Sequence, residues 1–257
     1  MTRTAKQLEK GVRLSSWSGI KKKLGKFELI AEKGFVNSHD TVGILGENGI
    51  GKTTFVKVLA EVIKTDDGKV EGKIKVAYKP QYIESSKKLV VDLLKEAVKK
   101  YEVELIRPLG IKPLLTRQLD ELSGGELQRV SIAFCLSQEA ELYLLDEPSA
   151  YLDVEQRLIT AKVIKDTMDK RGTSALVVDH DLLFADYLSN NLLVFSGEPA
   201  ISGKVDGPFS MEDGMNFFLR DLKISMRRDK ESCRPRINKL GSVMDREQKG
   251  KNKLYYV

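Results

Sequence analysis

Between an apolar run, Thr41 to Gly46, and a stretch whose apolar side chains recur at helical spacing lies Gly46-Glu47-Asn48-Gly49-Ile50-Gly51-Lys52-Thr53. The octapeptide matches G-x-x-x-x-G-K-[ST], and few features restrict a fold so tightly. Triphosphate oxygens need many donors in a small space. Glycines let the backbone curl until successive N–H groups point inward, and the helix that follows adds its positive end. Lys52 then supplies a mobile cation and Thr53 a hydroxyl for Mg²⁺. Gly46 through Thr53, with Thr54 in the first helical turn, are the expected nucleotide contacts. An apolar strand before the turn and a helix after it make the context a strand, a phosphate cradle and a helix.

The rest of the chain repeats that alternation. LYLLD is a buried-type strand that carries Asp146 to its carboxyl end, where open α/β sheets bind ligands. Asp146 is the expected Mg²⁺ carboxylate, and Glu147 the expected general base for water attacking the terminal phosphate. A helix is expected over roughly 154–170, and SALVVD forms a third such strand ending at Asp179. The fold class is therefore α/β, a P-loop nucleoside triphosphatase with a mostly parallel sheet and helices on both faces. Lys73 to Tyr78 reads as a further strand and Lys88 to Tyr101 as an amphipathic helix. The helices between Ile83 and Gln138 lack intervening strands and read as a helical insert.

The 43 Lys+Arg and 37 Asp+Glu give a net charge of +6, distributed unevenly. Residues 1–26 carry +7, residues 27–219 carry −8 and residues 220–257 carry +7. Two domains follow: a body over 1–219 and a basic extension over 220–257, which either packs on the body or orders on a partner. The two cysteines, Cys135 and Cys233, are too few for a disulfide framework or a four-thiolate zinc or iron–sulfur site within the chain. No apolar run reaches the roughly 18 residues of a membrane span. A cytoplasmic protein is expected.

Leu122-Ser123-Gly124-Gly125-Glu126 has the S-x-x-E spacing of a capping box, yet two glycines in a first turn lower helix propensity by about 1 kcal/mol each. A purely structural cap gives no reason for them, whereas an anion site does. Followed by Gln128 and Arg129, the pentapeptide resembles the signature motif of ATP-binding cassette (ABC) proteins, over roughly residues 12–205. The resemblance implies ATP/ADP and Mg²⁺ as ligands, with Ser123, Gly124, Gly125 and Glu126 facing the nucleotide of a second cassette. It implies a Q-loop residue at Gln81, touching Mg²⁺ and the attacking water, and a switch histidine at His180. It also implies a D-loop over Ser149 to Asp153, bridging cassettes. Trp17 is the first choice for stacking on adenine and Phe27 the second. One copy of each motif implies that a second cassette completes the enzyme.

GENGIGKTTF, LSGGELQRV, DEPSAYLDVEQR and the tail RPRINKLGSVMDREQK together look like the second nucleotide-binding domain of the RNase L inhibitor family, ribosome-recycling ABC proteins of archaea and eukaryotes. The family's eight-cysteine ferredoxin-like domain and first cassette are not in this sequence, so no iron–sulfur cluster is expected here. Leu240 stands where the family usually has proline. The resemblance implies ATP-driven splitting of ribosomes into subunits, with the small subunit and its rRNA as partners, Arg234, Arg236 and Lys239 as candidate contacts, and no membrane. Two other readings are an ATPase subunit of a membrane transporter and an ATP-gated assembly module that does not hydrolyse; Glu147 and His180 argue against the latter.

Overall fold

The computed structural model describes residues 12–72, 74–81, 86–228 and 235–255. Nine strands form one sheet: β1 (Arg13–Leu24), β2 (Phe27–Asn37), β3 (Thr41–Leu45), β4 (Asp67–Glu71), β5 (Val76–Lys79), β6 (Leu142–Asp146), β7 (Ser174–Val178), β8 (Asn191–Glu198) and β9 (Ser202–Ser210). Their order is β4-β1-β2-β9-β8-β3-β7-β6-β5. β8, β3, β7, β6 and β5 pair in parallel. β1 pairs antiparallel with both β2 and β4, an appended wing that the sequence reading did not foresee.

Every residue of β3, β6 and β7 is buried. That is the signature of central parallel strands covered on both faces, and the pleat then assigns alternate side chains to two cores. Tyr143, Leu145, Ala175 and Val177 face one core. They pack there with α4 (Gly124–Ser137) and α5 (Val154–Arg171). Leu142, Leu144, Leu176 and Val178 face the other, with Phe55 and Val56 of α1 (Lys52–Leu59) and with Trp17, Ile20 and Leu29 of the wing.

The helical insert begins outside the described residues, since 82–85 are among those not described. Its first expected helix is broken into α2 (Val90–Leu93) and α3 (Lys95–Lys100), followed by a π-turn at Glu102–Ile106. Of the strand expected over Lys73 to Tyr78, Lys73 lies outside the described residues and the observed strand is Val76–Lys79.

The expected boundary at residue 219 falls inside a helix, α7 (Met211–Leu222), which follows α6 (Leu182–Leu188). The basic extension packs on the body. Met226, Leu254 and Tyr255 share a buried cluster with Leu192, Met211, Met215 and Leu219. β10 (Met226–Arg228) pairs with β11 (Pro235–Ile237), and α8 (Val243–Gly250) follows. Asp245 ties these pieces together. Its carboxylate accepts from Ser225 Oγ at 2.6 Å, Gly241 N at 2.9 Å and Lys249 Nζ at 2.9 Å. Asn238 donates to Ser225 Oγ and to Gln248. Asn238, Ser242, Asp245 and Gln248 of NKLGSVMDREQ are thus internal staples. Arg236 and Lys239 are exposed, and Arg234 lies outside the described residues.

Candidate functional site

The carboxyl ends of β3, β5, β6 and β7 lie on one sheet edge, and the chemistry gathers there. A cavity of about 380 Å³ is lined by Phe27, Asn48, Gly49, Gly51, Lys52, Thr53, Thr54, Gln81, Asp146, Glu147 and Val178. Gly51, at φ 91°, turns the chain into α1 with its backbone against the Phe27 ring; a Cβ there would stand 2.7 Å from Cζ. Lys52 Nζ donates to Gly46 O at 2.7 Å and Glu47 O at 2.8 Å, which curls the loop around the cation. Ile50 sends its side chain into the core and has only its backbone to offer a ligand. Burial pulls the Lys52 ammonium down to about 8, against the opposing pull of Glu147, Asp146 and Asp179.

Thr53 Oγ1 donates to Asp146 Oδ2 at 2.8 Å. A hydroxyl and a carboxylate on one point are hard oxygen donors suited to Mg²⁺, and Gln81 lines the same cavity. Burial raises the Asp146 carboxyl, a penalty that a divalent cation would remove. Glu147 adopts φ 47°, a left-handed conformation that non-glycine residues seldom hold. Its carboxylate Oε1 lies 3.2 Å from His180 Nε2. Asp179, next to His180, accepts from Ser149 N at 3.0 Å and Ser149 Oγ at 2.7 Å, joining β7 to the segment after Glu147.

Trp17 is a correction. It is 3% exposed, edge-on to Phe55 at 5.2 Å between centroids, and has no free face for a base. The second choice, Phe27, is the aromatic ring at the cavity.

Ser123, Gly124, Gly125, Glu126 and Asp153 do not line the cavity. Ser123 and Glu126 form the capping box of α4, with Ser123 N donating to Glu126 Oε2 at 2.8 Å and Glu126 N to Ser123 Oγ at 3.4 Å. Asp153 caps α5 by accepting from Gln156 N at 2.8 Å. The two glycines do have a local steric reason, contrary to the sequence reading. A Cβ on Gly124 would meet the Tyr151 ring at 3.2 Å, and one on Gly125 would meet Tyr151 O at 2.8 Å.

Two side-chain contacts to backbone carbonyls escaped the sequence reading, those of Lys79 and Gln128. Lys79, 1% exposed, donates to Asp146 O at 2.8 Å and Pro80 O at 3.0 Å, so the strand before Gln81 is tied to the one bearing Asp146. Burial lowers it to about 8. Its signal was a lysine at an inward register of VAYK. Gln128, 4% exposed, donates to Glu147 O at 2.6 Å. It sits one turn beyond Gly124 on the buried side of α4.

The phosphate loop, its hydroxyl–carboxylate pair and the Glu147–His180 contact at the ends of parallel strands define a P-loop nucleoside triphosphatase. The ABC transporter family model matches residues 34–150. An uncharacterized ABC transporter ATP-binding protein of Methanocaldococcus jannaschii is 52% identical, over 95% of this chain and 42% of its own length. Translation initiation factor RLI1 of Saccharomyces cerevisiae is 38% identical over 98% of this chain and 42% of its own. ABC transporter E family member 3 of Arabidopsis thaliana is 38% identical over 55% of this chain and 85% of its own. The chain belongs to the ABC ATPase family. An archaeal ribosome recycling factor, aABCE1, solved in complex with the ribosomal stalk protein aP1, superposes with a TM-score of 0.92 at 48% identity, over 96% of this chain and 49% of that one. The chain thus spans less than half the length of these first relatives. Cassettes of ABC transporters at 20% identity share the fold. Among the described residues no helix is long and apolar enough to cross a membrane.

Proposed function

We propose that this chain is one cassette of a twin-cassette ATPase that works in the cytoplasm and splits ribosomes into subunits. In this reading Lys52 and the loop N–H groups from Gly46 to Thr54 hold the phosphates, and Thr53, Asp146 and Gln81 hold Mg²⁺. The ion, when bound, neutralises charge on the phosphate oxygens. Glu147 takes the proton of the attacking water, and His180, 3.2 Å away, steadies the carboxylate and meets the terminal phosphate. The separation of the signature pentapeptide from the cavity supports a second cassette, whether an identical copy or part of a longer parent chain. Ser123 to Glu126 then cover the partner's nucleotide, and Asp153 lies beside that interface. Closure around ATP and opening after hydrolysis supply the stroke.

The single observation that carries the ATPase reading is the convergence of Lys52, Thr53, Asp146, Glu147 and His180 on one sheet edge. Glu147→Gln is expected to keep ATP affinity within about twofold while turnover falls by a factor of about 10² to 10⁴, the range for a removed general base. Unchanged turnover sinks that assignment. The ribosomal substrate is inferred from the relatives named above. Sedimentation of the chain with small subunits, strengthened by a non-hydrolysable ATP analogue, would support it; sedimentation with membranes instead would favour the transporter reading.

A further inference from the structure

Glu147 is held by its backbone as much as by its side chain. Its N–H donates to Val178 O at 2.7 Å, on β7. Its carbonyl accepts from Gln128 Nε2 at 2.6 Å, and the carbonyl just before it, on Asp146, accepts from Lys79 Nζ at 2.8 Å. Three elements therefore grip one peptide unit on each side of a residue at φ 47°. A non-glycine residue stays in that conformation only where its surroundings overdetermine it. The left-handed turn decides where the Glu147 carboxylate points, and its 3.2 Å approach to His180 depends on it.

Gln128 differs from the other two grips in where it is anchored. Val178 and Lys79 belong to the sheet. Gln128 belongs to α4, whose first turn is Gly124, Gly125 and Glu126. A buried amide on a 14-residue helix reaches the catalytic backbone directly, with no intervening side chain. An amide aimed at a carbonyl has a narrow range of distance and angle, so a shift or tilt of α4 by about 1 Å breaks or reshapes this bond.

We propose that Gln128 is a positioning residue for the base: it holds Glu147 in its left-handed turn and makes the aim of its carboxylate depend on where the signature helix sits. The inference rests on the reading of Glu147 as the base. In a two-cassette assembly the consequence is directional. The nucleotide engaged by Ser123 to Glu126 and the nucleotide hydrolysed by Glu147 are different molecules, and Gln128 is a covalent and hydrogen-bonded route between them within one chain. Engagement of one nucleotide would then set the rate at which the other is cleaved.

The test uses the full chain at concentrations where copies meet, with a fluorescent ATP analogue for binding, steady-state hydrolysis for kcat and KM, and thermal unfolding for stability. Gln128→Met keeps the volume and removes the donor. It is expected to bind nucleotide within about twofold of the parent, with unchanged Tm and KM. Its kcat is expected to fall about ten- to a hundredfold, the scale of a misaimed catalytic group. Gln128→Lys, which restores a donor, is expected to recover at least part of that rate. The inference is overturned if Gln128→Met hydrolyses at the parent rate, if its loss appears in KM and Tm together as a packing defect, or if Gln128→Lys is as slow as Gln128→Met. Glu147→Gln is measured alongside. Full turnover in that variant removes the base and this inference with it, whereas a slow Glu147→Gln beside a fully active Gln128→Met overturns this inference alone.

Discussion

At the residue scale the two aromatic candidates separate by burial. Trp17 and Phe27 both precede the phosphate loop, and sequence distance could not rank them, because neither local spacing nor ring chemistry reports which ring is covered. The wing covers Trp17 and leaves Phe27 at the cavity. Phe27→Ala is accordingly expected to weaken ATP binding by about 1–3 kcal/mol, a stacking contribution, with little change in Tm. Trp17→Ala is expected to lower stability by about 3–5 kcal/mol, the cost of a large core truncation, while ATP affinity in the folded fraction stays put. An equilibrium titration and a denaturant melt of the two variants check both; the reverse pattern would restore Trp17. Lys52, Thr53, Asp146 and Glu147 were legible because each motif carries its own chemical reason in consecutive residues. Lys79 and Gln128 were not, because what matters about them is a single carbonyl reached across 67 and 19 residues.

At the element scale, strands that are mostly apolar and buried at every residue were easy to place, and β3, β6 and β7 are all such strands. The wing was harder. β1 reads RLSSWSGIKKKL, with Ser and Lys at half of the positions and Gly19 interrupting the alternation, so its inward residues Ser15, Trp17 and Ile20 do not stand out. The extension was opaque for another reason. Its basic composition describes its surface, whereas its fold rests on a few polar side chains turned inward around Asp245. Ser225, Lys249 and the Gly241 N–H hold that carboxyl down to about 2. A depressed carboxyl contributes stability that is present above its unfolded value near 4 and is lost as pH falls through its folded value. Asp245→Asn is therefore expected to lower Tm at pH 7, with the gap from the parent closing between about pH 4 and pH 2. A gap independent of pH would mean that the charge on Asp245 contributes nothing.

At the scale of the whole molecule, the charge of +6 hides an acidic body, −8 over residues 27–219, in which local donors and Lys52 are the proposed holders of the anionic ligand, with positive charge in the leading and trailing segments of the sequence. Removing residues after 222 is a poor test of what the basic extension does, because Met226, Leu254 and Tyr255 fill a core shared with α7. Charge neutralisation leaves that core intact. Replacing Arg236, Lys239 and Arg246 by glutamine is expected to flatten the salt dependence of small-subunit binding, by a slope of roughly 0.7 to 0.9 for each phosphate that the extension no longer neutralises. An unchanged slope would assign the extension to folding alone. Trp17, finally, is the chain's one tryptophan, seated on Phe55, which itself lies edge-on to Phe195 at 5.5 Å. Phe55 is three residues past Lys52 on the helix that opens the phosphate loop. The protein consequently carries a single indole, beside eight tyrosines, at the joint between its wing and the helix that follows the phosphate loop. Its emission can follow the loosening of that joint during unfolding with no label attached and no second indole to subtract.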